Sequence, residues 1–477
     1  MIDLGFLKGQ RIAVLGLGAS GQATARALKA AGVDLAAWDD AHAGRAAAER
    51  DGVALVDFAR EGMAGFDAAV LSPGLPRRHP APHAMVRAAE AAGVPLVSDI
   101  DLLARAQPDC RFLGVTGTNG KSTTTALIAH VLAAAGRRVA AGGNLGPAAL
   151  SLDALGPGEW YVLEVSSYQL ETIREVDWSI GVFLNISADH LDRYADRAAY
   201  VAAKARLFDR TTPDGVTVIG VDDPETAAVH ERVAAERGAR AVAIAAGRAL
   251  ESGVHAAEGT LVDATGAGPR AILDLAEARA LPGRHNWQNA AAAYAACRAA
   301  GVEADAIAGA LKSFPGLAHR QEAVSTVAGI RFVNDSKATN AEAAAKALGS
   351  YSTVYWIAGG LAKEGGLDAL APFLPRIRKA FLIGRDAPQF AAFLDGKVPA
   401  ERCTDLDAAT AAAFEAARAD RVAGRLSAGG AAEAPVVLLA PACASWDQFA
   451  NFEARGEAFR ASVRALTARA AREGVPC

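Results

Sequence analysis

Cysteine is scarce in this chain and follows no pattern. The five among 477 residues stand at positions 110, 297, 403, 443 and 477, with no spacing that suits a metal. An odd, scattered set excludes a disulfide framework and fits reduced thiols in a cytoplasm. An excess of one charge is lacking too, since 49 Lys and Arg against 53 Asp and Glu leave a net charge of −4. Nucleic acid and anionic membranes both call for a basic face, so neither is expected as a partner. No apolar run is long enough to span a bilayer; the uncharged stretch 434–446 is short and broken by proline. The opening Met1-Ile-Asp-Leu-Gly-Phe-Leu-Lys8 has neither a basic nor a long apolar region, so no signal peptide is expected. No internal repeat is visible, and the one low-complexity stretch, 423–432, reads as a flexible surface insertion.

What is present is an apolar chain, 52% hydrophobic and 21% charged, in which strand and helix patterns alternate. That predicts a soluble α/β protein with two to four cores. Its centre is Gly114-Val-Thr-Gly-Thr-Asn-Gly-Lys-Ser-Thr-Thr-Thr125. The residues before it, 111–116, predict a buried strand, and 121–135 predict a helix. A glycine loop between them aims backbone N–H groups at one spot on the positive end of the helix dipole, an anion site suited to a nucleotide phosphate. Lys121 would reach the terminal phosphates and Ser122 would sit on Mg²⁺. The strict spacing would place glycine at 115, which is valine; the glycines fall at 114, 117 and 120. The plain alternative is a glycine turn capping a core helix.

Near the N-terminus, strand 11–16 leads into Gly16-Leu-Gly-Ala-Ser-Gly21, a helix to about 31 and a strand 34–38 ending at Asp39. This is a dinucleotide-type βαβ unit. Val70-Leu-Ser-Pro-Gly-Leu75 is a strand ending in a turn that a doubly wound sheet would bring to the same edge. Ala19, Ser20, Asp39, Asp40, Ser72, Pro73 and Gly74 are therefore grouped as one small-molecule pocket, with a mere turn at 72–74 as the alternative. Residues 107–109 read as a linker. Ala141-Gly-Gly-Asn-Leu-Gly146 reads as a polar glycine turn. Strand 160–164 ends in Glu164, well placed for Mg²⁺. Strand 180–185 delivers His190, for which a structural role is equally open. Lys204 lies on a helix spanning 197–208, where most lysines are solvated. Residues 215–280 predict shorter strands and turns. A helix starts near Asn286, where an Asn suits a nucleotide or simply a cap. A second linker at 316–322 precedes a hairpin at 322–333, a polar loop Asn334-Asp-Ser-Lys-Ala-Thr-Asn340, further strands at 353–358, 380–383 and 435–439, and a closing helix at 455–471. Cys443 is expected to be a buried small hydrophobe.

In this order, Gly117-Thr-Asn-Gly-Lys-Ser-Thr123, Glu164-Val-Ser-Ser-Tyr-Gln, Asn185-Ile-Ser-Ala-Asp-His190-Leu-Asp, Gly283-Arg-His-Asn-Trp-Gln-Asn289, His319-Arg320 and the 334–340 loop resemble the Mur ligase family of ATP-dependent amide-bond ligases. The resemblance covers nearly the whole chain. It implies an α/β protein of three domains: N-terminal Rossmann-like (1–108), a central P-loop-type ATPase with a mainly parallel sheet (109–316) and C-terminal Rossmann-like (317–477). Gly16–Gly21, Ser72-Pro-Gly74 and Ser445-Trp-Asp-Gln-Phe-Ala-Asn-Phe452 are similar to the family's D-glutamate-adding branch. The implied reaction joins D-glutamate to UDP-N-acetylmuramoyl-L-alanine through an acyl phosphate, in cytoplasmic peptidoglycan synthesis, by a monomer. The resemblance implies ATP on Gly117, Thr118, Asn119, Gly120, Lys121, Ser122, Thr123, Asn286, Asn289, Arg320, Asp335 and Lys337. It implies catalytic roles for Lys121, Glu164, His190 and Lys204. It also implies two Mg²⁺ ions on Ser122, Glu164, His190 and a carbamylated Lys204, the UDP substrate on the first pocket with Asn144 and His190, and D-glutamate on Thr339, Lys363, Ser445, Trp446 and Phe452. The rivals are another Mur ligase, a folylpolyglutamate-type ligase, and an NAD-dependent oxidoreductase, which would leave the phosphate loop unexplained.

Overall fold

The structure, a computed structural model, describes residues 2–144, 146–187, 193–362, 366–425 and 434–472. It divides into two compact units, Met1–Arg279 with Arg284–Phe314, and Ala280–Gly283 with Pro315–Cys477.

The first unit holds two sheets. Strands β1 (Arg11–Leu15), β2 (Asp34–Trp38), β3 (Ala54–Leu55), β4 (Ala68–Leu71) and β5 (Leu96–Val97) pair in parallel in the order β3-β2-β1-β4-β5. The order reverses at β1, so a crevice opens above the C-terminal ends of β1 and β4, the usual ligand position in such sheets.

The second sheet is built from β6 (Arg111–Thr116), β7 (Val139–Gly143), β8 (Trp160–Glu164), β9 (Trp178–Phe183), β10 (Thr211–Gly220), β11 (Ala241–Ala246), β12 (Val254–Ala257), β13 (Thr260–Asp263) and β14 (Arg270–Asp274). Their order is β14-β13-β12-β11-β10-β9-β6-β8-β7, parallel from β7 to β12 and closed by the antiparallel ribbon β13–β14. β6 and β8 are buried along nearly their whole length, without alternation, because helices cover both faces. Thr124, Leu127, Ile128 and Val131 of helix Lys121–Ala134 recur on one face and are buried.

The two sheets of this unit are fastened together. Asp101, on helix Asp99–Ala106 of the first, is 1% exposed. Its Oδ1 accepts the N–H groups of Arg174 and Glu175 at 3.0 and 2.9 Å, and its Oδ2 accepts the Ser98 hydroxyl at 2.8 Å. Arg105 pairs with Glu175. The stretch expected to be a linker is strapped down: Gln107 Oε1 accepts the Leu155 N–H at 3.1 Å and the Tyr161 hydroxyl at 3.3 Å.

The second unit carries β15 (Glu322–Val327), β16 (Ile330–Asn334), β17 (Val354–Gly359), β18 (Ile377–Ile383), β19 (Ala400–Arg402) and β20 (Val436–Leu439) in the order β15-β16-β20-β17-β18-β19. The hairpin is antiparallel and the rest parallel. Helices Ala341–Gly349 and Ala387–Leu394 pack in one apolar cluster, Leu406–Val422 and Phe452–Arg472 in the other.

Two expectations are corrected, and a third lies largely outside the described residues. Residues 141–143 belong to edge strand β7, and the turn begins only at Asn144, because Gly142 and Gly143 continue the ladder to β8. The region 215–280 is not only strands and turns: Asp223 caps a helix Pro224–Arg237 through the Thr226 N–H. Part of the 423–432 insertion lies outside the described residues, and helix Leu406–Val422 runs up to it. Among the described residues, no helix is long and apolar enough to cross a membrane.

Candidate active site

The parallel neighbours β10, β9, β6, β8 and β7 deliver their C-terminal ends to one edge. The loop 117–120 leaves β6 there. Gly120 has φ +84°, and a side chain on it would collide with Asn289 Oδ1. The loop is held by its neighbours. Asn185 O accepts the Thr118 N–H at 2.8 Å, and Asn185 Oδ1 accepts the Asn119 N–H at 2.9 Å. Asn185 Nδ2 in turn donates to Gln288 Oε1 at 2.7 Å, and Gln288 Nε2 to Asp222 Oδ2 at 3.0 Å. Gly120 caps helix Lys121–Ala134 without a side chain, so no group of its own crowds the positive helix end. Lys121 Nζ donates to Gly117 O at 2.9 Å and Thr118 O at 2.8 Å, which holds the ammonium on the loop. Thr123 and Thr124 are buried in the first helical turn. Behind them, Asn289 Oδ1 accepts the Thr124 hydroxyl at 3.2 Å and Asn289 Nδ2 donates to Asn286 at 2.9 Å.

Glu164 ends β8 and is 3% exposed. Its Oε1 accepts from Asn144 Nδ2 at 2.9 Å, while its buried Oε2 has no partner among the described residues. A buried carboxylate oxygen is costly unless a cation or donor meets it. With the Ser122 hydroxyl two residues into the loop's helix, the donor set fits Mg²⁺, an oxygen-seeking ion. Lys204 departs from the expectation of a solvated helix lysine: it is 2% exposed. Its Nζ donates to Gly117 O at 2.9 Å and stands 4.7 Å over the Tyr200 ring. The Tyr200 hydroxyl meets Thr118 Oγ1 at 3.2 Å. Helix Arg197–Ala205 therefore presents both residues to the phosphate loop. His190 lies outside the described residues.

Above β1 and β4, the first pocket comes together. Gly16 has φ +87°, and its carbonyl accepts the Ser72 hydroxyl at 2.8 Å. A side chain at Gly21 would strike that same carbonyl. Helix Ala19–Ala30 starts at Ala19 and Ser20. Asp39 Oδ2 accepts the Leu17 N–H at 2.5 Å and Oδ1 the Ala41 N–H at 2.7 Å, so its carboxylate shapes the loop. Asp40 meets His83 Nε2 at 3.0 Å. Asp99 is buried below; burial pushes its carboxyl up to about 6, against the opposing pull of its backbone bond to Ile100 and of Ser20. Gly74 O accepts from Arg193 at 3.1 Å.

In the second unit, β16 ends at Asn334, whose Nδ2 donates to Glu322 Oε2 and to Gly456 O, both at 3.2 Å. Asp335 follows and is 6% exposed; burial pushes its carboxyl up to about 7, opposed by the charges of Arg320 and Lys337. Lys337 Nζ stands 5.5 Å over the Phe452 ring, and Thr339 donates its N–H to Lys337 O at 2.8 Å. A small recess opens beside Asn340, Ala362, Leu367 and Gln389. Ser445 is buried and Trp446 is 71% exposed. Cys443 is buried as expected. Lys363 lies outside the described residues.

Residues 115–297 match the Mur ligase middle domain. UDP-N-acetylmuramoylalanine–D-glutamate ligases of Paramagnetospirillum magneticum and Rhodospirillum rubrum are 50% and 49% identical to this chain, over 98% of it and 99% and 97% of theirs. The chain belongs to the Mur ligase family. The solved UDP-N-acetylmuramate-alanine ligase MurC of Thermotoga maritima shares the fold, with a TM-score of 0.55 at 17% identity over 95% of this chain and 99% of its own.

In this Mur ligase, sequence reasoning missed Arg455 as a site residue. It is 1% exposed, and its Nε donates to Ser336 Oγ at 3.0 Å and its Nη2 to Ser336 O at 2.8 Å. Nη1 and Nη2 both donate to Cys443 O at 3.1 Å. The Ser336 hydroxyl in turn donates a hydrogen bond to Phe452 O at 2.8 Å. One guanidinium therefore ties together the three segments that carry Thr339, Ser445 and Phe452. The signal was available: Arg455 shares the stripe of Phe459 and Val463, at intervals of four, where an unpaired arginine would be out of place.

Proposed function

We propose that this chain joins D-glutamate to the L-alanine carboxylate of UDP-N-acetylmuramoyl-L-alanine, converting ATP to ADP and phosphate, as a cytoplasmic monomer in peptidoglycan precursor synthesis. The near-full-length identity to D-glutamate ligases carries this reading. An alanine carboxylate oxygen attacks the γ-phosphorus, and the bond to the β-phosphate oxygen breaks to release ADP. The glutamate amine then attacks the acyl carbon, phosphate leaves with its oxygen, and the amine gives up a proton. The loop 117–120 and Lys121 hold the phosphates in line. Mg²⁺, when bound, supplies positive charge that allows two anions to meet. Ser122 and Glu164 would hold one ion, His190 and a modified Lys204 a second. Asn286, Asn289, Arg320, Asp335 and Lys337 are assigned to ATP. Ala19, Ser20, Asp39, Asp40, Ser72, Pro73, Gly74, Asn144 and His190 are assigned to the UDP substrate, and Thr339, Lys363, Ser445, Trp446 and Phe452 to D-glutamate.

Lysine has no acceptor lone pair while protonated. A lysine amine that has given up its proton adds CO₂ and releases a second proton to become a carbamate, an oxygen ligand. The burial of Lys204 against Gly117 O supports this modification. Activity of Lys204→Ala should recover with a short carboxylic acid and excess Mg²⁺; absence of any recovery would count against the carbamate. For the reaction itself, phosphate release is measured with UDP-N-acetylmuramoyl-L-alanine and D-Glu, L-Glu, L-Lys or diaminopimelate offered separately. Turnover with D-Glu alone is expected, and turnover with another amine instead would overturn the assignment.

A further inference from the structure

The loop after β4 and the segment after helix Ser167–Thr172 bring arginines together. Arg77 Nη1 and Arg174 Nη2 both donate to the carbonyl oxygen of Glu171, each at 2.7 Å. Two guanidinium groups thus share one acceptor and stand side by side. Arg174 Nη1 is occupied by Ile173 O at 2.7 Å. Arg206, just past helix Arg197–Ala205, keeps a buried Nε with no hydrogen-bond partner among the described residues. Arg78, exposed, is the fourth member. The group behaves as a mutually repelling set. Arg77 is held below the usual arginine range, by burial first and then by Arg78 and Arg206. Arg174 is pushed down to about 10, by burial first and then by Arg206 and Arg77.

None of the four makes an ion pair with a carboxylate among the described residues. The acids that face them are Glu90, Glu171 and Asp101. Asp101 is committed to Ser98 and to the backbone of Arg174 and Glu175. Guanidinium stays charged at any working pH, so deprotonation does not relieve the crowding. A polyvalent anion does, and the guanidinium fork matches phosphate oxygens two at a time.

We propose that Arg77, Arg78, Arg174 and Arg206 form a second anion site, separate from the loop 117–120, that takes a phosphate-bearing ligand. Two sources share this chemistry: the diphosphate of the UDP substrate, and the free phosphate that the reaction releases. Only that choice of source rests on the proposed function; the site itself does not.

The test uses the full chain carrying Lys121→Ala, which cripples the loop site, with pyrophosphate titrated against chloride at equal ionic strength. Saturable binding is expected by calorimetry and as a rise in melting temperature. Adding Arg77→Gln should weaken it about tenfold or more, the worth of a bond to a charged partner. Arg78→Gln, on an exposed side chain with no fold to break, should weaken it in the same direction. Absence of saturable binding, or binding untouched by both substitutions, would overturn the site. In the otherwise native chain, a raised KM for the UDP substrate with an unchanged KM for ATP in Arg77→Gln would identify the substrate diphosphate. Unchanged KM values with lost pyrophosphate binding would identify free phosphate. Lack of turnover with every amine would defeat the proposed reaction and leave the binding result standing.

Discussion

Replacing Arg455 by methionine keeps an apolar stem and removes the fork. The carbonyls of Ser336 and Cys443 then lose their donors inside a buried site. An orphaned buried acceptor costs about 1–3 kcal/mol, so two cost about 2–6 kcal/mol. Part of this is offset, because a buried cation is itself expensive: burial holds Arg455 down to about 10. The carbonyls belong to the backbone and cannot be removed with the arginine, so the loss prevails, and a net destabilisation of about 3 kcal/mol is expected. Urea unfolding followed by hydrogen exchange would localise it to 334–340 and 443–452. The same loosening should raise the KM for D-glutamate more than that for ATP or the UDP substrate. Arg455→Lys, which keeps the charge but cannot span Ser336 and Cys443 together, should fall between. A methionine variant within about 0.5 kcal/mol of the parent, with unchanged protection in both segments, would refute the reasoning.

Gly120→Ala forces a side chain into a left-handed position and onto Asn289; the KM for ATP should rise about tenfold or more with the circular-dichroism spectrum unchanged. Asp335, raised to about 7, binds its proton in the folded state where the unfolded chain has already lost it. Its contribution to stability therefore falls as pH rises from about 4 to 7 and levels off above; Asp335→Asn should flatten the melting-temperature profile across that window, and an identical profile would contradict the buried carboxyl. Asp101→Asn turns one acceptor edge into a donor facing N–H groups, so amides 174 and 175 or 98 and 101 should exchange at least about tenfold faster.

The phosphate edge was legible because its signals are local. Continuous apolar strands, glycines fixed by backbone geometry and a carboxylate ending a buried strand all lie within short windows. The hairpin at 322–334 and the closing helix were legible for the same reason. Lys204 was not legible from its helix alone: its burial is decided by Gly117, almost ninety positions earlier in the chain. The helix Leu406–Val422 went unseen because its inner face is largely alanine, which contrasts little with its outer face. Asp39 was placed correctly at the end of β2, but its oxygens are engaged by Leu17 and Ala41, which no spacing rule foretells.

The strapping of residues 107–109 bears on how this chain could be cut. Gln107 grips Leu155 and Tyr161, and Asp101 grips 174–175, so the contacts joining the first two sheets do not depend on the covalent connection between them. A nick at 108 would leave the halves docked, and two separately translated pieces, 1–107 and 108–477, should find each other and restore the ligase. The peptide there serves as a tether during folding more than as a joint in the finished molecule.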